Sequence, residues 1–426
     1  MTKKNENGIS LHEVAKSFVQ ETEINGQRTR WYWRGEWYVW VGTHYESVRR
    51  EAIERDVLDF LKDKMEIRVS TIRGVVDLLR LLQFCGATQT PSWLQEGRRS
   101  EPKNIFAVKN GLLHLREDYE PELLAHNPTF WELSAAGYSY SQSASCPNWV
   151  EFLDQLWADG VEKKGSLQEW FGYCLLPNTL QQKILAIIGP PRSGKSTIAR
   201  VLTELLGGSN VANPSIRSLS GSFGLWGMLD KMLAIIPDAT LPKPCPALEE
   251  LLKSISGEDS VDIHRKGMAP LTGMRLSTRL MLLANELPAF YDPSGALERR
   301  LIVLKTDQTW YGREDIRLTN KLLEELPGIL NWAIEGLMRL WKRGHFTRSV
   351  LNAEAILDNL PDRDRVRRIV ISYERPRLER PRTRRPKKGA AKSYRAATSV
   401  KTTTKLPNAD VQKTQKRTGH SQRVTK

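Results

Sequence analysis

The chain has 426 residues, room for two or three domains of roughly 150 residues each. Hydrophobic residues make up 40% and charged residues 27%, the balance of a globular protein. The longest apolar runs, such as 184–188, fall far short of the roughly 20 residues of a membrane helix, and MTKKNENGIS carries no apolar stretch of the signal-peptide kind. We therefore expect no membrane partner and a cytoplasmic, nucleoid-associated location. Cys85, Cys146, Cys174 and Cys245 form no CxxC pair, so neither a structural zinc nor a disulfide framework is expected.

The net charge is +15, but it is unevenly placed. Residues 371–426 hold 17 Lys and Arg against three acids, a local charge of +14, which leaves +1 for the other 370 residues. A tail of this kind attracts phosphate backbones without reading sequence.

In chain order, Leu11–Thr22 has a weak helical pattern. Trp31, Trp33, Trp37 and Trp40 flank the turn Arg34–Gly35–Glu36 and predict a β-hairpin. The aromatics admit two readings, a base-stacking platform or a strand pair packed on a small core. The segments 48–64 and 72–84 are helical in period. Asn110–Gly111–Leu112–Leu113 is a turn entering a short strand. Residues 149–157 and 166–176 are further helices, joined by an expected loop over 159–165.

KILAIIGPPRSGKSTIARVLTELLG reads as buried strand, loop, helix. Gly189, Pro190, Pro191, Arg192, Ser193, Gly194, Lys195 and Ser196 satisfy GxxxxGK[ST] in full, with Thr197 opening the helix. Glycines let backbone N–H groups wrap phosphates, and the helix N-terminus adds favourable partial charge. Lys195 is expected to reach the β- and γ-phosphates of ATP and Ser196 to ligate Mg²⁺. A second apolar strand, 232–236, leads to Asp238, the candidate acid on the Mg²⁺ side; an ordinary strand-end aspartate is the alternative. A third, 280–284, ends at Asn285, placed to orient an attacking water or simply to turn the chain. Arg299 and Arg300 precede the strand 301–304. One of them is a candidate finger for a neighbour's ATP, against a surface pairing with Glu298. Val261 and Ile263 with His264–Arg265–Lys266–Gly267 predict a hairpin with a basic tip, fit to grip a nucleic-acid backbone, or a solvated loop. Beyond about residue 372 the composition is too rich in Arg, Lys and Pro to bury a core.

The order GPPRSGKST, LAIIPDA, basic hairpin, LLANELP, ALERRLIVL resembles the superfamily III helicases. Within them it looks like the C-terminal helicase part of phage and plasmid primase–helicases of the alpha-type satellite-phage class, with poxvirus primase–helicases as distant relatives. NGLLHL, CPNWVEFL and QEWFGYCLLPNTLQQKILAIIG extend the resemblance over roughly residues 30–345. It implies an AAA+-like P-loop NTPase core of α/β class, preceded by a mixed α+β and helical module. The expected division is an α+β module (1–145), a helical linker (146–182), the core (183–345), a short helical extension (346–372) and a disordered basic tail (373–426). The implied activity is ATP-dependent DNA unwinding in replication of a phage, plasmid or integrated element. ATP and Mg²⁺ are its cofactors, single-stranded or forked DNA its partner, and a homo-oligomeric ring, usually a hexamer, its assembly. Carried over, Lys195 and Ser196 are the phosphate and Mg²⁺ residues, Asp238 the acid, Asn285 the sensor, and Arg299 or Arg300 the finger. His264, Arg265 and Lys266 match the DNA-contacting hairpin loosely. Residues 1–100 hold no obvious cluster of paired carboxylates for primer synthesis, so a separate primase is a possible partner. An initiator or accessory ATPase that assembles on DNA without unwinding it is the alternative reading.

Overall fold

The computed structural model describes residues 10–64, 67–95, 100–239, 245–286, 288, 290 and 295–347. The extension beyond Thr347 and the basic tail lie outside the described residues, as do Asp292, Pro293 and Ser294 of the arginine segment.

The first helix, α1 (Leu11–Glu21), starts at Ser10, whose hydroxyl accepts the Glu13 N–H while the Glu13 carboxylate accepts the Ser10 N–H. This reciprocal pair satisfies two end donors of the helix and fixes its start. Strands β1 (Arg30–Trp33), β2 (Glu36–Trp40) and β3 (Tyr45–Val48) form an antiparallel sheet, with Arg34 and Gly35 at the first turn, both at positive φ. Two helices follow, α2 (Arg50–Leu61) and α3 (Val69–Leu82). Strand periodicity divides the aromatics between two cores. Trp37, with Tyr32, faces the apolar sides of α1, α2 and α3 around Phe18, Ile53 and Leu79. Trp33, with Trp31 and Trp40, faces Tyr45, Cys85 and Trp131. Trp33 and Trp37 are 2% and 3% exposed. Trp33 and Trp37 are therefore core, and the half-buried Trp31 and Trp40 pack against the second core, so the four do not form an open stacking platform. The module continues through β4 (Ser92–Trp93), β5 (Ile105–Val108), β6 (Gly111–His114), β7 (Glu122–Leu124) and β8 (Phe130–Trp131). β5, β6 and β7 make one small antiparallel sheet, and β4 pairs with β8.

Next come α4 (Pro147–Leu156) and α5 (Val161–Cys174). The helix α5 begins five residues before the sequence expectation. Lys163 and Lys164, read as loop, find partners in the Lys305 carbonyl and the Asp154 carboxylate, and tertiary contacts of this kind override the local glycine signal.

The remaining elements are β9 (Ile184–Ile188), α6 (Lys195–Leu206), β10 (Val211–Ala212), α7 (Ile216–Leu219), β11 (Leu233–Ile236), α8 (Pro246–Ser256), β12 (Val261–Arg265), β13 (Met268–Met274), β14 (Arg279–Ala284), α9 (Ala296–Arg300), β15 (Leu301–Lys305), α10 (Leu318–Glu324) and α11 (Leu326–Arg343). Five strands form a parallel sheet in the order β10–β11–β14–β9–β15. Every residue of β9, β11 and β14 is buried. That is why they read as unbroken apolar runs rather than alternations: helices cover both faces. Leu185 and Ile187 of β9 face the core with α5, α6 and α11, whereas Ile184, Ala186 and Ile188 face the one with α8.

The helices α5 and α11 pack almost backbone to backbone. A Cβ on Gly172 would overlap the Ala333 carbonyl, and one on Gly336 the Gln168 carbonyl. Beside this seam the fully buried Glu169 carboxylate accepts from Arg339 Nε at 2.8 Å, Arg343 Nη2 at 2.6 Å and the Thr347 N–H at 2.7 Å. A buried charge needs this degree of pairing to offset its lost hydration. No described helix is long and apolar enough to cross a membrane.

Candidate nucleotide site

The loop Gly189–Gly194 leaves the C-terminal end of β9 and enters α6 at Lys195. Gly194, the N-cap, sits at φ +84°. The helix therefore starts with its first N–H groups turned into the loop, where an anion is favoured. Gly189 passes so close to β15 that a Cβ there would overlap Thr306 Oγ1.

Lys195 is 9% exposed. Its ammonium donates to the carbonyls of Gly189 and Pro190, both at 2.7 Å, and to Ser193 Oγ at 3.2 Å. Burial holds its pKa below the usual lysine value, because the charged form is the one that loses hydration. Ser196 is exposed and Thr197 half-buried. Both line a cleft of about 600 Å³ that runs from Arg192 across the start of α6 to a wall made by α4 and residues 310–321.

Two features hold that wall. Glu325 receives the N–H and side-chain amide of Asn148 at 3.0 and 2.6 Å and the Trp149 N–H at 2.9 Å, which caps α4. The segment after β15 straps the loop from outside. The Trp310 N–H donates to the Arg192 carbonyl at 3.0 Å, Thr309 Oγ1 to the Pro191 carbonyl at 3.1 Å, and Arg192 pairs with Glu314.

The sheet brings the other predicted residues to the same edge. Ala284 of β14, Ile188 of β9 and Lys305 of β15 lie in one row, and Ile236 of β11 pairs with Leu282 two residues earlier. The Ala239 N–H donates to the Leu283 carbonyl at 2.9 Å and the Gly189 N–H to the Ala284 carbonyl at 3.2 Å. Asp238 and Asn285 therefore emerge beside the root of the loop, where parallel sheets present ligand-facing groups. Both are exposed. They lie along the crest of the sheet and do not line the cleft itself. Among the described residues no group of three or more His, Cys, Asp or Glu could hold a metal. The oxygens of Ser196 and Asp238 suit Mg²⁺, which is commonly held by one or two protein oxygens together with substrate phosphates.

The two arginines separate. Arg300 is half-buried, donates to Ser256 Oγ at 3.0 Å and to the Lys253 carbonyl, and so closes the C-terminal end of α8. Arg299 is exposed. Among the hairpin residues, His264 and Lys266 are exposed, but Arg265 is folded back. Its guanidinium donates to the Ala269 carbonyl from Nε and Nη2 at 3.1 and 2.9 Å, and from Nη1 to the Arg34 carbonyl at 2.9 Å.

Sequence reasoning missed Thr306, Glu325 and Arg192–Glu314. Their signal is spatial: Thr306, Glu325 and Glu314 each act on an element remote in sequence and belong to no local motif, and Arg192, though in the loop motif, carries no sign there of its pairing with Glu314.

Residues 25–158 match the family model described as D5 N terminal like. Residues 187–300 match a model described as a family of unknown function (DUF5906). An uncharacterized mitochondrial protein of Marchantia polymorpha is 28% identical over 79 residues, 18% of this chain and 44% of that protein; the chain thus spans less than half the length of that relative. Three apo structures of the NrS-1 C-terminal region resemble the chain at 12% identity with TM-scores of 0.47, 0.48 and 0.49. These cover 81–82% of this chain and 77–78% of those chains. The chain is a mixed α/β protein with a parallel sheet. The residues that match the D5 N terminal like model precede that sheet in sequence.

Proposed function

We propose that the chain is an ATP-hydrolysing DNA motor of the superfamily III type, acting in replication of a phage, plasmid or integrated element. One observation carries this reading: the Gly189–Ser196 loop, Asp238 and Asn285 leave the ends of the parallel strands β9, β11 and β14, with β14 between the other two. The strand order, with the loop strand between β14 and β15, supports the reading of an AAA+-like core. The D5 N terminal like match ahead of it supports placing the chain with phage-type replication primase–helicases.

In this reading the loop N–H groups and the α6 N-terminus receive the triphosphate. Lys195 would exchange its loop carbonyls for phosphate oxygens, and Ser196 and Asp238 would hold Mg²⁺. The bound ion would supply charge neutralisation across those phosphates. Asp238 and Asn285 hold and orient the attacking water. We assign the finger to Arg299, because Arg300 is already committed to α8. Arg299 would act on a neighbouring protomer in a ring. His264 and Lys266 are the groups available to a DNA backbone.

The test is Lys195→Ala in the full chain, with ATPase measured with and without single-stranded DNA and strand displacement measured on a forked substrate. Loss of both activities is expected, and robust DNA-stimulated ATPase in this variant would sink the assignment. The retracted Arg265 favours a second reading, an initiator that uses ATP to assemble on DNA. ATP-dependent oligomers without strand displacement would select it.

A further inference from the structure

We propose that Thr306 is a positioning residue of the nucleotide site, holding the loop and Lys195 in register through its hydroxyl. The inference rests on the reading of Gly189–Ser196 as a triphosphate cradle and adds a residue that no part of the loop motif contains.

Thr306 follows β15 directly and is fully buried. Its N–H donates to the Ile188 carbonyl at 2.8 Å, which extends the β15–β9 ladder one step past the strand and under the loop. Its Oγ1 lies 3.1 Å from the same carbonyl and 2.8 Å from Ser193 Oγ. Ser193, 1% exposed, lies 3.2 Å from Lys195 Nζ.

An ammonium only donates and a carbonyl only accepts, while each hydroxyl has one proton to give. Thr306 gives its proton to Ser193 Oγ, the nearer of its two acceptors. Ser193 thus accepts from Thr306 on one side and from Lys195 on the other. The other two lysine protons go to the Gly189 and Pro190 carbonyls. All three are assigned, and the one acceptor that is a side chain is aimed by Thr306 from the adjacent strand. A phosphate entering the cradle meets an ammonium already placed over the loop, so its ordering cost is largely met before binding.

A hydroxyl that acts by position differs from one that only fills space above Gly189. Thr306→Val keeps the shape and removes the relay; Thr306→Ser keeps the relay and removes the methyl. In the full chain we expect Thr306→Val to raise the KM for MgATP about tenfold, from the loss of one buried hydrogen bond near a charge, with kcat changed much less. Thr306→Ser should return KM to within about twofold of the parent. Ser193→Ala, which breaks the same relay from the loop side, should match Thr306→Val and covers the case in which the valine variant fails to fold. A Thr306→Val protein with parental KM overturns the proposal, as does a serine variant as impaired as the valine one. If the parent chain itself neither binds nor hydrolyses ATP, the nucleotide reading fails first and this inference falls with it.

Discussion

Arg34 and Asp230, 196 positions apart, meet at 2.7 Å with side chains 13% and 19% exposed. Arg34 sits at positive φ in the tip of the β1–β2 hairpin. Its guanidinium stacks over Trp33 at 3.9 Å and also donates to the Thr88 carbonyl at 2.8 Å. Asp230 precedes β11, so the pair ties the N-terminal aromatic hairpin to the segment that leads toward Asp238. Burial raises the Asp230 pKa in spite of the adjacent guanidinium. The pair is thus held in place by geometry at some desolvation cost.

Removing either partner leaves a buried charge, so Arg34→Ala and Asp230→Ala should each cost roughly 3–5 kcal/mol. Their coupling in a double-mutant cycle should be about 1–3 kcal/mol. Urea unfolding measures it. Strict additivity of the two losses would show that the contact contributes nothing of its own.

The two neighbouring arginines should fail in different ways. Arg300→Ala removes the closing contacts of α8 and should lower stability by roughly 1–2 kcal/mol. Arg299→Ala should leave the melting temperature unchanged and reduce ATPase by about a thousandfold, as loss of a transition-state arginine does. Mixing Arg299→Ala with Lys195→Ala protomers should restore activity, because each supplies what the other lacks across an interface. A mixture as inactive as its components would exclude action in trans.

Glu169 predicts a large stability effect far from any chemistry. Glu169→Ala strands Arg339 and Arg343 against the α5–α11 seam and should cost roughly 3–5 kcal/mol. Arg343→Ala removes a side chain that is 31% exposed, against none for Glu169, and leaves Arg339 paired, so it should cost less. Calorimetry of the three proteins gives the order, and a mild Glu169→Ala would mean that water reaches the seam.

A pH effect is expected from Glu132, near β8. The residue is half-buried, but its carboxylate turns inward to accept the Leu133 N–H at 2.9 Å. Burial pushes its pKa from 4.5 up to about 7. The folded state then holds this proton more tightly than the unfolded chain. Its contribution to stability is present below about pH 4.5 and lost as pH rises toward 7. Glu132→Gln should flatten that part of the stability curve by roughly 1–3 kcal/mol. Melting temperatures at pH 5 and pH 8 decide it: an equal difference between parent and variant at both values would rule the proton out.

Much of this architecture is written locally. The run 184–188 needed no structure to be read as β9, because a strand buried on both faces has no alternation to confuse. The loop motif, the hairpin turn at Lys266–Gly267 and the helix end at Gly207 follow from backbone requirements of particular residues. The start of α5 was not legible, since Lys163 and Lys164 are satisfied by groups elsewhere in the chain. Nor was the difference between Arg299 and Arg300, which depends on where α8 ends in space. The roles of the four hairpin tryptophans needed Trp131, nearly a hundred residues on, to settle which face was covered.

Arg265 reaches the N-terminal hairpin through the main-chain oxygen of Arg34, not through its side chain. No replacement at position 34 short of moving the backbone deletes that acceptor. A mutational scan confined to the first hundred residues would overlook the tether, while a change at Arg265 would release the basic finger from its anchor. Any displacement of β12–β13 away from the N-terminal hairpin must therefore first break a hydrogen bond to a main-chain carbonyl there.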